Sequence, residues 1–248
     1  MSKRLPYFMA LLALLMFLEA PSLQAKHKHN DDDEAVAEDS ELSGYNESID
    51  LSKLLSPPPA NDSAQTKAEI EEVLNFQKNR TGDDEAAIEA DSQYSVFRFA
   101  DVMGSKFNSM NLPRTTLLFE KLVATSKGMV GETKTIWMRP RPFQADSRVI
   151  PCVKRSKSSS YPSGHATAGT VMAIVLANLV PEKAAEIYAR GWLFALHRVM
   201  GGAHQRSDID AGRIAGTVLA AQLFQDPEFM KDFAAAKAEL RPALGYTN

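Results

Sequence analysis

The stretch from Ala166 to Val180 constrains the fold most. It is built almost wholly of small and aliphatic side chains, and Pro181 ends it. A helix that is apolar on every side has to be surrounded by protein. Asn178 interrupts the run, which is too short to cross a bilayer. Other helices must therefore pack around it. Candidates lie on both sides. Ile70, Val73 and Leu74 recur at helical spacing behind Thr66 and Glu69, which read as a capping box. Phe97, Ala100 and Met103 give a short stripe stopped near Gly104. Pro113 opens a segment carrying Leu117, Leu118, Leu122 and Val123. Helices are also predicted over 182–200, closing at Gly201-Gly202, over 205–224 and over 227–240. Arg139-Pro140-Arg141-Pro142 breaks regular helix, and 143–162, rich in Ser and Lys, reads as loop. No window alternates as a strand would. The predicted fold is all-α, a helical bundle around central core helices.

The N-terminus has a different character. Lys3 and Arg4 precede an apolar run from Phe8 to Leu18, and Ala25 offers a small residue for cleavage. Residues 1–25 thus read as a signal peptide. Residues 26–60 read as a polar arm, charged through Asp31–Glu34 and stiffened at its end by Pro57, Pro58 and Pro59. Residues 61–248 are the helical domain. A net charge of −3 gives no bulk drive toward nucleic acid or an anionic membrane. The single cysteine, Cys152, cannot form an intrachain disulfide.

Chemistry is concentrated in three histidines. Asp208 stands four residues after His204, so on a helix the two share a face. A carboxylate there can accept the Nδ1 proton and leave Nε2 bare and nucleophilic. An ordinary surface pair has the same spacing. Pro162-Ser163-Gly164-His165 leads into the apolar helix. Backbone N–H groups at a helix start attract anions, Gly164 leaves room for an oxyanion, and the Ser163 hydroxyl can donate. Ser163 is equally an ordinary N-cap. Lys134, Arg141 and Arg198 are the cations whose order and spacing fit an anion held from several sides. Arg139 and Arg206 are spare cations that nothing in the spacing selects.

The ordered set Lys134-x6-Arg141-Pro142, Pro162-Ser163-Gly164-His165 and Arg198-x5-His204-x3-Asp208 resembles the three-part signature of the phosphatidic acid phosphatase type 2 superfamily, which includes vanadium haloperoxidases. Together with the signal peptide, the Pro-rich entry and Ser160-Tyr161-Pro162-Ser163-Gly164-His165, it is most similar to the bacterial class A non-specific acid phosphatases. The resemblance implies that His204 is the nucleophile, oriented by Asp208, and that a phosphohistidine forms. It implies that His165 protonates the leaving group, and that Lys134, Arg141, Ser163, Gly164 and Arg198 hold the phosphoryl oxygens. No metal and no cofactor are implied. The expected substrates are small phosphate monoesters, and neither nucleic acid nor stable membrane insertion after signal cleavage is expected. A homodimer is suggested by the resemblance alone. The expected location is the periplasm or the medium. Two other activities compete, a lipid or isoprenoid phosphate phosphatase and a vanadate-dependent haloperoxidase. One departure stands out: His197 occupies the position before Arg198 where the family often has Ser.

Overall fold

The computed structural model describes residues 43–247. The expected signal peptide and the charged stretch that follows it lie outside the described residues. The chain forms α1 (Leu51–Leu54), α2 (Ala64–Asn79), α3 (Gly82–Ala90), a 3-10 turn at Val96–Phe99 running into α4 (Ala100–Met103), and α5 (Pro113–Trp137). The short α6 (Pro142–Ala145) precedes α7 (Gly164–Leu179). A 3-10 turn at Pro181–Lys183 leads to α8 (Ala184–Met200), α9 (Arg206–Leu223) and α10 (Pro227–Leu244). The fold is all-α, with no strand among the described residues.

α7 is the central helix, as its uniformly apolar sequence requires. Val171, Met172, Val175, Leu176 and Leu179 are all buried, and α5, α8 and α9 surround it. Two of these contacts are unusually close. A Cβ on Gly212 would stand 2.6 Å from the Ser163 carbonyl oxygen, and one on Gly216 would stand 2.5 Å from that of Thr167. Only hydrogen fits there, so α9 lies backbone to backbone against α7. Gly191 lets α8 approach α7 closely too, since an added Cβ would meet the Ala173 side chain at 2.6 Å and the Gly169 carbonyl oxygen at 3.3 Å. The first turns of α7 and α9 are thereby held side by side. The Ser163 N–H donates to the Asp208 carbonyl at 3.0 Å across that junction.

Helix ends follow local chemistry. Ser163 caps α7 by accepting from the Ala166 N–H. α8 stops at Gly201-Gly202, where Gly202 takes φ +76°. α5 ends at Met138 in the left-handed region because Arg139-Pro140 cannot continue it. Among the described residues no helix is long and apolar enough to cross a membrane.

Three expectations change. The N-cap of α2 is Ser63, which accepts from the Thr66 N–H, so Thr66 and Glu69 form no capping box. Three residues of the expected loop at 143–162, Phe143 to Ala145, are helical, as part of α6. The boundary expected at residue 61 falls inside packed structure. Tyr45, Leu51 and Leu55 are buried in the main core, and the Tyr45 ring stands edge-on to Phe229 of α10 at 5.3 Å. Tyr45 also donates its hydroxyl to Asp232 and its N–H to Thr125 Oγ1.

Candidate active site

His204 and Asp208 sit where α9 begins, beside the N-terminus of α7. The carboxylate accepts from the Gln205 N–H at 2.8 Å, which fixes it at the helix start. Its Oδ2 lies 3.3 Å from His204 Nδ1 and accepts from the Ser160 hydroxyl at 2.6 Å. A carboxylate only accepts, so Nδ1 carries the proton and Nε2 is the bare nitrogen. Nε2 faces Arg141 Nη1 at 3.3 Å. His204 is about 1% exposed. Burial and the charge of Arg141 push its pKa down to about 3, and the pull of Asp208 offsets only part of this. Asp208 is held the other way. Burial alone would raise its pKa, but the hydrogen bond and charge of His204 and the charge of Arg139 keep it well below the usual carboxylate range.

The cations are anchored by the serine-rich loop. Arg141 donates through Nε to the Ser158 carbonyl, through Nη2 to the Ser158 hydroxyl and through Nη1 to the Ala203 carbonyl. Its own N–H is capped by Gln144 Oε1. Lys134, in the last turn of α5, donates to the Ser159 carbonyl at 2.6 Å. Lys134 and Arg141 therefore converge on one loop, and Lys134 is close enough to depress His204 as well.

His165, Arg198 and Gly164 form a second group. His165 Nε2 lies 2.9 Å from the Ser92 carbonyl, and its ring stacks on Tyr94 with centroids 3.9 Å apart. Arg198 donates to the Ser92 hydroxyl at 2.8 Å. The Arg198 carbonyl accepts from the N–H groups of Ala203 and His204, tying this group to the first. Space at Gly164 serves a neighbour: a Cβ there would stand 3.0 Å from the Tyr94 hydroxyl. His197 is buried and donates from Nδ1 to Asp91 at 2.8 Å.

Sequence reasoning missed several of these residues. Arg139 is neither solvated nor turned to a ligand. It is about 2% exposed and donates to Asp208 Oδ1, Ser207, Thr66 and Glu69. Arg206 pairs with Glu72 and lies over the Trp192 ring. Ser160 was legible only as part of a motif. Asp91, Ser92 and Tyr94 carry no spacing signal, because they approach the site from a distant part of the chain. Among the described residues, no three His, Cys, Asp or Glu side chains form a metal-binding group.

This arrangement suits an anion whose charge is met from several sides and whose central atom is open to attack by an imidazole. Residues 116–230 match the PAP2 superfamily. The chain is 36% identical over 204 residues to a non-specific acid phosphatase of Salmonella typhimurium, covering 78% of this chain and 81% of that protein. It is 31% identical over 251 residues to an acid phosphatase of Zymomonas mobilis, covering 97% and 92%. A bacterial vanadium-dependent chloroperoxidase has the same fold, with a TM-score of 0.56 at 13% identity over 76% of this chain and 52% of that one. The chain belongs to the PAP2 superfamily and, within it, to the acid phosphatases.

Proposed function

We propose that the protein is an exported acid phosphatase that hydrolyses small phosphate monoesters through a phosphohistidine on His204, without a metal. One observation carries the mechanism. His204 is a buried imidazole with its Nδ1 proton directed to Asp208 and its bare Nε2 directed to a cation, Arg141. A phosphoryl group drawn to Arg141 would bring phosphorus to that nitrogen.

In the first step Nε2 attacks phosphorus, a P–N bond forms and the ester P–O bond breaks. The leaving oxygen takes a proton from His165. Asp208 stabilises the positive charge that develops on His204. In the second step water attacks phosphorus, His165 takes its proton, and the P–N bond breaks to release phosphate. Lys134, Arg141, Arg198, the Ser163 hydroxyl and the Gly164 end of α7 hold the equatorial oxygens. These cations supply the charge that a metal would otherwise bring.

The test is phosphate release from an aryl phosphomonoester in excess chelator, beside His204→Ala. The expected outcome is turnover that survives chelation and disappears in the variant. Activity that chelation removes would exclude the metal-free mechanism. Export is tested separately, by finding the mature chain, begun after Ala25, outside the cytoplasm.

A further inference from the structure

The loop between α3 and the first 3-10 turn lies outside the three motifs and outside the matched residues 116–230. Yet consecutive residues of it touch the group that contains His165 and Arg198. We propose that Ser92 and Asp91 are positioning residues for this reaction: Ser92 aims Arg198 and His165 at the phosphoryl group, and Asp91 holds Ser92 in place.

The geometry is economical. The Ser92 hydroxyl accepts from Arg198 Nη1 at 2.8 Å, and the Ser92 carbonyl takes His165 Nε2 at 2.9 Å. A carbonyl cannot donate, so Nε2 keeps its proton and titration of His165 takes place at Nδ1. One residue thus orients a cation and sets the tautomer of the proton donor. The donor is a charged guanidinium, so this bond is stronger than one between two neutral groups.

Ser92 needs an anchor, and Asp91 provides it. Asp91 is fully buried. Its Oδ1 accepts from Arg98 Nε at 2.9 Å and from Arg190 Nη2 at 2.6 Å, and its Oδ2 accepts from His197 Nδ1 at 2.8 Å. Burial opposes its ionisation, but the bonds from His197 and Arg190 outweigh it and bring the pKa to about 2. His197, which stands where the family often has Ser, precedes Arg198 on α8. The loop is therefore clamped to the same helical turn whose arginine it aims. This accounts for a buried histidine beside the site without giving it contact with substrate.

The inference rests on the phosphatase reading, and the experiment separates the two. Ser92→Ala, Ser92→Thr and Asp91→Asn are compared with the parent for KM and kcat on an aryl phosphomonoester and for inhibition by inorganic phosphate. Ser92→Ala is expected to weaken phosphate inhibition and raise KM by about tenfold, with an unchanged melting temperature. Ser92→Thr, which keeps the hydroxyl, is expected to recover most of this. Asp91→Asn is expected to lower kcat as well as raise KM. If Asp91→Asn does not fold, the two Ser92 variants decide. An active parent with Ser92→Ala inside twofold on both readings overturns the inference and leaves the phosphatase reading standing. A parent with no turnover overturns that reading, and the inference with it.

Discussion

At the scale of single residues, His204 is governed by its burial. The unfolded chain takes up a proton on this residue near the ordinary value of about 6.5, whereas the folded site resists protonation down to about 3. Between those values the unfolded state binds more protons, so the ligand-free protein loses stability as pH falls through that window. The loss is at most about 1.4 kcal/mol per pH unit. Melting curves from pH 7 to pH 4.5 should fall less steeply for His204→Gln than for the parent. The same shift keeps the proposed nucleophile unprotonated in acid. The acidic limb of kcat/KM is therefore expected below about pH 4, and loss of activity on acidification through about pH 6.5 would contradict this. Arg139 carries a second expectation. Removing it leaves Asp208 and Glu69 as buried carboxylates without their guanidinium, so Arg139→Ala should cost about 3–5 kcal/mol in denaturant unfolding. The histidine–carboxylate pair was legible from its four-residue spacing, although His204 stands just before α9, and Asp208 meets it from the helix's first turn. Arg139 was not, although its neighbour Arg141 was. Each precedes a proline, which forces extended backbone, and residues two apart in extended chain face the same way. Both guanidiniums therefore reach the same pair, Arg139 at the carboxylate and Arg141 at the imidazole. Only the folded geometry separates those roles.

At the scale of elements, the site exists because α7 and α9 touch closely enough to share their first turns. Gly212 and Gly216 permit that contact. Gly216→Ala pushes a methyl against the α7 backbone, which has no flexible end to give way. A loss of about 1–3 kcal/mol is expected from thermal or denaturant unfolding. Gly82→Ala is the control, since nothing lies within 4 Å of its added Cβ. It should be neutral, or stabilise by up to about 1 kcal/mol. Helices with a clear apolar stripe could be read from the sequence: α5 begins at Pro113 as expected, and α7 to α9 begin and end within two residues of their expected limits. α10 runs four residues past its expected end. α3 escaped, because Ile88 is its one buried residue and a stripe needs several. Its capping box, Thr81 with Asp84, was the available signal. The loop after α3 escaped for a different reason. Its contacts with His165, His197 and Arg198 span more than seventy residues, and no local pattern encodes them.

At the scale of the molecule, the packed chain extends upstream of the arm's expected end. Tyr45 closes the far side of the bundle against α5 and α10, so Tyr45→Ala should cost about 3 kcal/mol or more by denaturant unfolding. A chain begun at residue 61 should melt lower than one begun at Lys26. The polar composition of residues 26–60 concealed this, because three anchoring side chains, Tyr45, Leu51 and Leu55, are diluted among charged and proline residues. The molecule as a whole then presents one chemical proposition, that phosphate passes through His204. Rapid quenching of a turning-over sample with phosphate-labelled monoester addresses it directly. Label should appear as an acid-labile, alkali-stable phosphoramidate on the tryptic peptide 199–206, whose one histidine is His204, and should be absent from His204→Ala. Label on another residue, or no covalent label during active turnover, would contradict the mechanism.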